Sequence, residues 1–220
     1  MLDKQNEAGE HPFIIQGSVG QIEGVLTVPP NTDKRYIALL GHPHSLQGGT
    51  MNNKVVSTMA RAFKDTGIAS VRFNFRGVGA TAGTYDAGVG ESVDMLYLAD
   101  LWCQSNPDCQ LLFAGFSFGS YVAYRAAAQS ASKLLITVAP PVHHYDYRLY
   151  QQPAHWHILQ GDADDVVPAQ RVLDFAADSV PPLPVIQFAQ TGHFFHGKLL
   201  PLKAAFIEII ENRLKNDDLK

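Results

Sequence analysis

The chain has 220 residues, enough for one domain with a full core, and we read 1–220 as a single unit. Hydrophobic residues make up 46% and charged residues 17%, which excludes a disordered chain. The net charge of −4 argues against a nucleic-acid partner or an anionic membrane surface, since both need a basic face.

Residues 1–10 are polar and charged and hold no apolar leader segment. No window approaches the roughly 20 apolar residues of a membrane span. The cytoplasm is therefore the expected location. Two strands are expected at 12–17 and 20–28, joined by a tight turn at 18–20 and closed by Pro29 and Pro30. Tyr36–Gly41 is a short apolar run of the kind that fills a buried parallel strand, and a loop rich in Gly, Pro and His follows it.

A helix comes next, capped by Asn52 or Asn53. Its inward face is Val55, Met59 and Phe63, with Val56 and Ala60 beside them, and Gly67 ends it. Residues 68–73 read as a strand. Residues 91–104 read as a helix with Val93, Leu96, Tyr97 and Leu101 inward. Cys103 and Cys109 are too few for a disulfide framework; a single pairing is open to them, and two reduced thiols in or near the core are expected. Residues 110–116 form a strongly apolar strand. Residues 118–129 form an Ala-rich helix almost without charge, the pattern of a helix buried on all sides. Strands at 133–138, 156–160 and Val185–Phe188 follow, with helices at Ala169–Ala177 and 201–214; the last turns Leu202, Ala205, Phe206, Ile209 and Ile210 inward.

Strands that alternate with helices imply parallel pairing and an α/β sheet covered on both faces. Ligands of such sheets bind beyond the carboxyl ends of the strands, so chemistry is expected in the loops just after them. Residues 115–119 stand in such a place and read Gly-Phe-Ser-Phe-Gly. This G-x-S-x-G pattern lies between an apolar strand and a buried helix, the context that makes a five-residue match specific. A serine held up on a sharp turn strains its backbone and crowds its neighbours, and Gly115 and Gly119 remove the side chains that would collide. Ser117 is the expected nucleophile. The Phe118 N–H, at the start of the next helix, is the expected first donor to an oxyanion.

A serine hydroxyl needs a base. Of nine histidines, His193 lies a few residues after the last strand and fits the chain order Ser, Asp, His. Residues 161–168, directly after strand 156–160, offer Asp162, Asp164 and Asp165 to orient the imidazole, and Asp164 is preferred. In the loop after Gly41, Pro43 has no N–H, so the second oxyanion donor is expected from His44 or Ser45, with His42 bracing the loop. An H-x-H metal pair there lacks a third ligand. The loop at 140–150 supplies His143 and Tyr145 as candidate pocket residues, and Phe194 beside the base is a third.

Four stretches now carry a resemblance: 42–53 (His-Pro-His-Ser-Leu-Gln-Gly-Gly-Thr-Met-Asn-Asn), 72–79 (Arg-Phe-Asn-Phe-Arg-Gly-Val-Gly), 115–119, and 161–168 with 192–194. Together they resemble the α/β-hydrolase superfamily along nearly the whole chain, and more narrowly its small, lidless, carboxylesterase-like bacterial members related to dienelactone hydrolases. The resemblance implies an eight-stranded, mostly parallel sheet with the second strand antiparallel. It implies a Ser117–His193–Asp164 triad that cleaves small or short-chain esters through an acyl-enzyme, with no cofactor and no metal. A thioesterase or peptidase-type acyl hydrolase is an alternative, as is a non-enzymatic binding protein on the same scaffold. Two departures stand out: proline at position 43, where many relatives have glycine, and a serine where dienelactone hydrolases proper use cysteine. Residues 139–153 are too few for a cap domain. The oligomeric state is not expressed in the sequence.

Overall fold

The computed structural model describes residues 1–215. Its strands are β1 (Gly9–Gln16), β2 (Gln21–Val28), β3 (Tyr36–Gly41), β4 (Ala69–Phe73), β5 (Gln110–Phe116), β6 (Ser132–Val138), β7 (Trp156–Gly161) and β8 (Val185–Phe188). Its helices are α1 (Lys54–Asp65), α2 (Val89–Ser105), α3 (Phe118–Ala128), α4 (Ala169–Ala177) and α5 (Leu199–Lys215). The strands form one sheet in the order β1-β2-β4-β3-β5-β6-β7-β8. β2 is antiparallel to both of its neighbours, and every pairing from β4 to β8 is parallel.

Side chains alternate across a strand, so each central strand feeds two cores. Ile37 and Leu39 join Phe73, Trp102, Tyr124 and Trp156 on the face covered by α2, α3 and α4. Ala38 and Leu40 join Met59, Phe63, Phe206 and Ile210 on the face covered by α1 and α5. The chain leaves β3 toward β4 on one side, and β5 lies on the other, so the sheet's order reverses between β3 and β5. A crevice opens beyond the strand ends at such a reversal. Among the described residues, no helix is long and apolar enough to cross a membrane. No cap is inserted between β6 and β7, which are joined by a loop without a helix.

The structure corrects three readings. The buried face of α2 is Met95, Leu98, Ala99 and Trp102, together with Glu91, Ser92 and Asp94, whereas Val93 is exposed. The inner face differs from the expected stripe because two carboxylates belong to it. Arg76 holds Asp94 with two hydrogen bonds of 2.8 and 3.0 Å, and Glu91 accepts the backbone N–H groups of Asp86 and Gly88 at 2.9 Å each. Paired in this way the carboxylates tolerate burial, and the helix gains roughly 1.5–3 kcal/mol for each large apolar side chain it turns inward. Second, Cys103 and Cys109 form a disulfide and are partly exposed, not reduced core thiols. The chain turns back after α2 through the Cys109 N–H to Asn106 carbonyl bond and brings the two Cα atoms to 5.6 Å, within bonding range. Third, α5 begins at Leu199, because Pro201 sits inside its first turn, where a missing N–H costs nothing.

Candidate active site

The site is built at the carboxyl ends of β3, β5, β7 and β8. Ser117 lies between β5 and α3 with φ 54° and ψ −124°, a left-handed conformation that costs a serine roughly 1–3 kcal/mol. Its neighbours hold it there. A Cβ on Gly115 would lie 2.0 Å from the Gly119 carbonyl oxygen, and one on Gly119 would lie 2.3 Å from the carbonyl carbon of Gly41. The turn is therefore packed backbone against backbone, between β3 and the first turn of α3. The Ser117 N–H donates to the Val138 carbonyl at 2.9 Å. The Ser117 carbonyl accepts from the Ser120 N–H and from the Ser120 hydroxyl, at 2.9 and 2.6 Å.

The loops after β7 and β8 deliver the other two groups by hydrogen bonding. Asp164 Oδ1 accepts the N–H groups of Val166 (2.9 Å) and Val167 (2.7 Å), which leaves Oδ2 free to accept from His193 Nδ1 at 2.8 Å. Burial alone would raise the Asp164 pKa. The bonds from His193, Val167 and Val166 outweigh burial and hold the carboxyl below its ordinary value. An ionised Asp164 makes Nδ1 the protonated nitrogen, so Nε2 is the acceptor. Nε2 lies 3.1 Å from the Ser117 hydroxyl, which donates to it. The Asp164 and His193 side chains are almost wholly buried, and the imidazole is flanked by the rings of Phe116 and Phe194, 4.9 and 5.1 Å away.

The loop after β3 forms the facing wall. His42 is buried and stacks on Phe75 at 4.0 Å. Its Nε2 accepts the Phe75 N–H at 2.9 Å, so its protonated Nδ1 donates to the Pro43 carbonyl at 2.6 Å. Burial pushes its pKa down to about 4, so the ring stays neutral while it braces the loop. The loop then doubles back: the Gln47 and Gly49 N–H groups both donate to the His44 carbonyl at 3.0 Å. The His44 ring packs against Tyr85 and Phe118. Phe118 is the first residue of α3, so its N–H has no partner within the helix.

Between these walls lies a cleft of about 120 Å³ that contains Ser117 and His193. Of the three expected pocket residues, only Phe194 lines it. His143 is exposed with its ring tilted against that of His144, and Tyr145 packs against Tyr121 and Phe118, with its hydroxyl 3.3 Å from that of Tyr85. Pro43, Gln47, Asn53 and Val166 line the cleft and were not anticipated. Among the described residues, none of the lining side chains is Asp, Glu, Lys or Arg, and no group of His, Cys, Asp and Glu is arranged to hold a metal.

No protein-family model matches the chain. In structure it is similar to a lidless α/β serine hydrolase from Xanthomonas campestris, with a TM-score of 0.88 and 38% identity over 92% of this chain and 94% of the other. It is also similar to an α/β serine hydrolase homologue from Coxiella burnetii, with a TM-score of 0.86 and 41% identity over 90% and 96% of the two chains. In sequence it is 41% identical over 166 residues to an uncharacterised protein of Rickettsia prowazekii, which covers 72% of this chain and 68% of that one.

Proposed function

This chain belongs to the α/β serine hydrolases, and on that premise we propose that it cleaves small or short-chain carboxylic esters through an acyl-enzyme on Ser117. The observation that carries the reading is the unbroken row of hydrogen bonds from the Ser117 hydroxyl through His193 to Asp164, at 3.1 and 2.8 Å, on the floor of an open cleft. The Ser117 oxygen attacks the ester carbonyl while His193 Nε2 takes its proton. Asp164 stabilises the resulting imidazolium. The imidazolium then returns the proton to the departing alkoxide, and a water molecule repeats the sequence to release the acid. The N–H groups of Phe118 and His44 are the donors assigned to the oxyanion, each worth about 2.7–4 kcal/mol in the transition state.

Substrate size follows from the cleft. A cleft of about 120 Å³ is small beside the roughly 300–1,000 Å³ of drug-sized ligand pockets, which suits a short acyl group. The absence of charged lining side chains favours a neutral one. Val166 and Phe194 are each about half exposed (47% and 48%) and give the mouth an apolar lip against which such a group can rest.

The test is covalent labelling with a fluorophosphonate probe, comparing the native protein with Ser117→Ala. Labelling of the native protein alone is expected. Equal labelling of both would remove Ser117 from the mechanism. Nitrophenyl acetate is expected to be hydrolysed faster than a long-chain nitrophenyl ester, and the reverse order would overturn the size assignment.

A further inference from the structure

Gln160, the penultimate residue of β7, has no part in the steps above, yet it is completely buried directly behind the acid. Its side-chain Nε2 faces three acceptors: the Gly161 carbonyl at 3.1 Å, the Val167 carbonyl at 3.2 Å and Asp164 Oδ2 at 3.3 Å. Its Oε1 is buried without a hydrogen-bond partner. Turning the amide over would aim that oxygen at three other oxygens, so the observed orientation is fixed. A buried acceptor left unpaired is a cost that native proteins rarely carry. Here it accompanies a donor group that ties together both ends of the loop bearing Asp164.

We propose that Gln160 is a positioning residue that closes the 161–167 loop and, through Oδ2, aims the Asp164 carboxylate at His193. Oδ2 is the oxygen that also accepts from the imidazole. The two Oδ1 bonds from Val166 and Val167 leave the carboxylate free to tilt about Oδ1. The contact with Gln160 lies on the far oxygen and limits that tilt. The inference rests on the triad reading, because aiming the carboxylate matters only if the imidazole it holds is the base. The other charged groups around the pair are Asp162 and Asp165 on the same loop, Asp162 being bonded to the Thr191 N–H at 3.3 Å, and Arg171 on α4. His143, on the loop after β6, interacts electrostatically with both Asp164 and Arg171. None of these touches Oδ2 in the described residues.

Gln160→Met keeps the length of the side chain and removes both the donor and the orphan oxygen. These changes oppose each other in stability, so near-native folding is expected by near-ultraviolet circular dichroism. The fluorophosphonate labelling rate is expected to fall about tenfold, as a misaimed base lowers reactivity without loss of binding. The downfield proton resonance of the His193 Nδ1–H is expected to shift or broaden. Native labelling with a native resonance overturns the proposal. Should Gln160→Met not fold, Gln160→Glu keeps the shape and adds a carboxyl beside Oδ2. The labelling rate is then expected to fall about tenfold or more and the Nδ1–H resonance to shift, because an ionised carboxyl cannot donate to Oδ2 as the amide does. A native rate with a native resonance overturns the proposal. Equal labelling of native protein and Ser117→Ala strikes the hydrolase reading instead, and the Nδ1–H resonance then still decides whether Gln160 positions Asp164.

Discussion

The nucleophile's turn and the side chains of its two partners are placed by different forces. Around Ser117, backbone lies against backbone: Gly41, Gly115 and Gly119 pack so closely that any added Cβ would overlap a carbonyl group. Around Asp164 and His193 one such contact joins the two loops, where a Cβ on Gly161 would lie 2.2 Å from the Thr191 carbonyl oxygen, but the carboxylate and the imidazole themselves are not set by it. The carboxylate is placed by two backbone N–H groups, one imidazole and the Gln160 amide. Repulsion at contact is steep and independent of pH, whereas a hydrogen bond depends on which partner carries the proton. The first region should therefore fail all at once, and the second by degrees and with acid.

The largest effect is expected from Gly119→Ala. Its Cβ would meet the Gly41 carbonyl carbon at 2.3 Å and oxygen at 2.4 Å, and neither can move without parting β3 from α3. A loss of about 4 kcal/mol or more is expected, read as absence of a cooperative thermal transition near that of the native protein. A variant that melts normally would show that the elbow is not sterically determined. Next comes Asp164→Asn, which keeps the shape and should fold. Its kcat is expected to drop by about 10⁴, because the amide favours the wrong imidazole tautomer. Its stability deficit has a defined sign with pH. The native carboxyl titrates below its ordinary value, so its contribution is full above the unfolded carboxylate range and disappears as pH falls through the folded value. Melting temperatures of the two proteins should converge in acid, and a gap that widened there would contradict the assignment.

The same difference governs what the sequence discloses. Gly115 and Gly119 flank Ser117 at fixed spacing, and glycine alone meets that steric demand, so the turn is readable from five residues. Chain order and a place just after a strand point to His193 and Asp164, and the fold brings their side chains together with Ser117. Hydrogen-bond partners remote in sequence are harder to see. Asp94 and Glu91 look like surface charges until Arg76 and the Asp86 and Gly88 N–H groups are beside them, and this rotated the expected face of α2. Gln160 looks like any polar residue closing a strand. The lining role of Gln47 and Asn53 depends on how a glycine-rich loop doubles back, and no periodicity encodes that.

A third variant sharpens the comparison at the wall opposite the base. His42 is neutral in the folded chain to a pKa of about 4, against an ordinary 6.5. Between those values the unfolded chain takes up the proton and the folded one does not, so folding weakens as pH falls from about 6.5 to about 4. The full loss is about 3 kcal/mol. Plotted against pH, the unfolding free energy of His42→Asn should lack that part of the slope. An unchanged slope would mean that the acid sensitivity arises elsewhere and that this wall does not belong with the hydrogen-bonded region.

The smallest effect tests the boundary between the two regions. The Ser120 hydroxyl donates to the Ser117 carbonyl at 2.6 Å, so at its 2.7 Å contact with the Tyr147 hydroxyl it must accept. Burial holds the Tyr147 pKa well above its ordinary value, so this phenol remains a donor at every working pH. Tyr147→Phe removes one donor and leaves one Ser120 lone pair unmet, a cost of about 1 kcal/mol in unfolding free energy. If contact between glycines fixes the elbow, Ser117 keeps its φ without that bond, and the fluorophosphonate labelling rate should stay within about twofold of native, a difference below 0.5 kcal/mol in barrier. A tenfold loss of labelling at near-native stability would mean that the hydroxyl chain beneath the elbow also aims the nucleophile. The steric account of the turn would then give way to one in which hydrogen bonds position all three groups of the row.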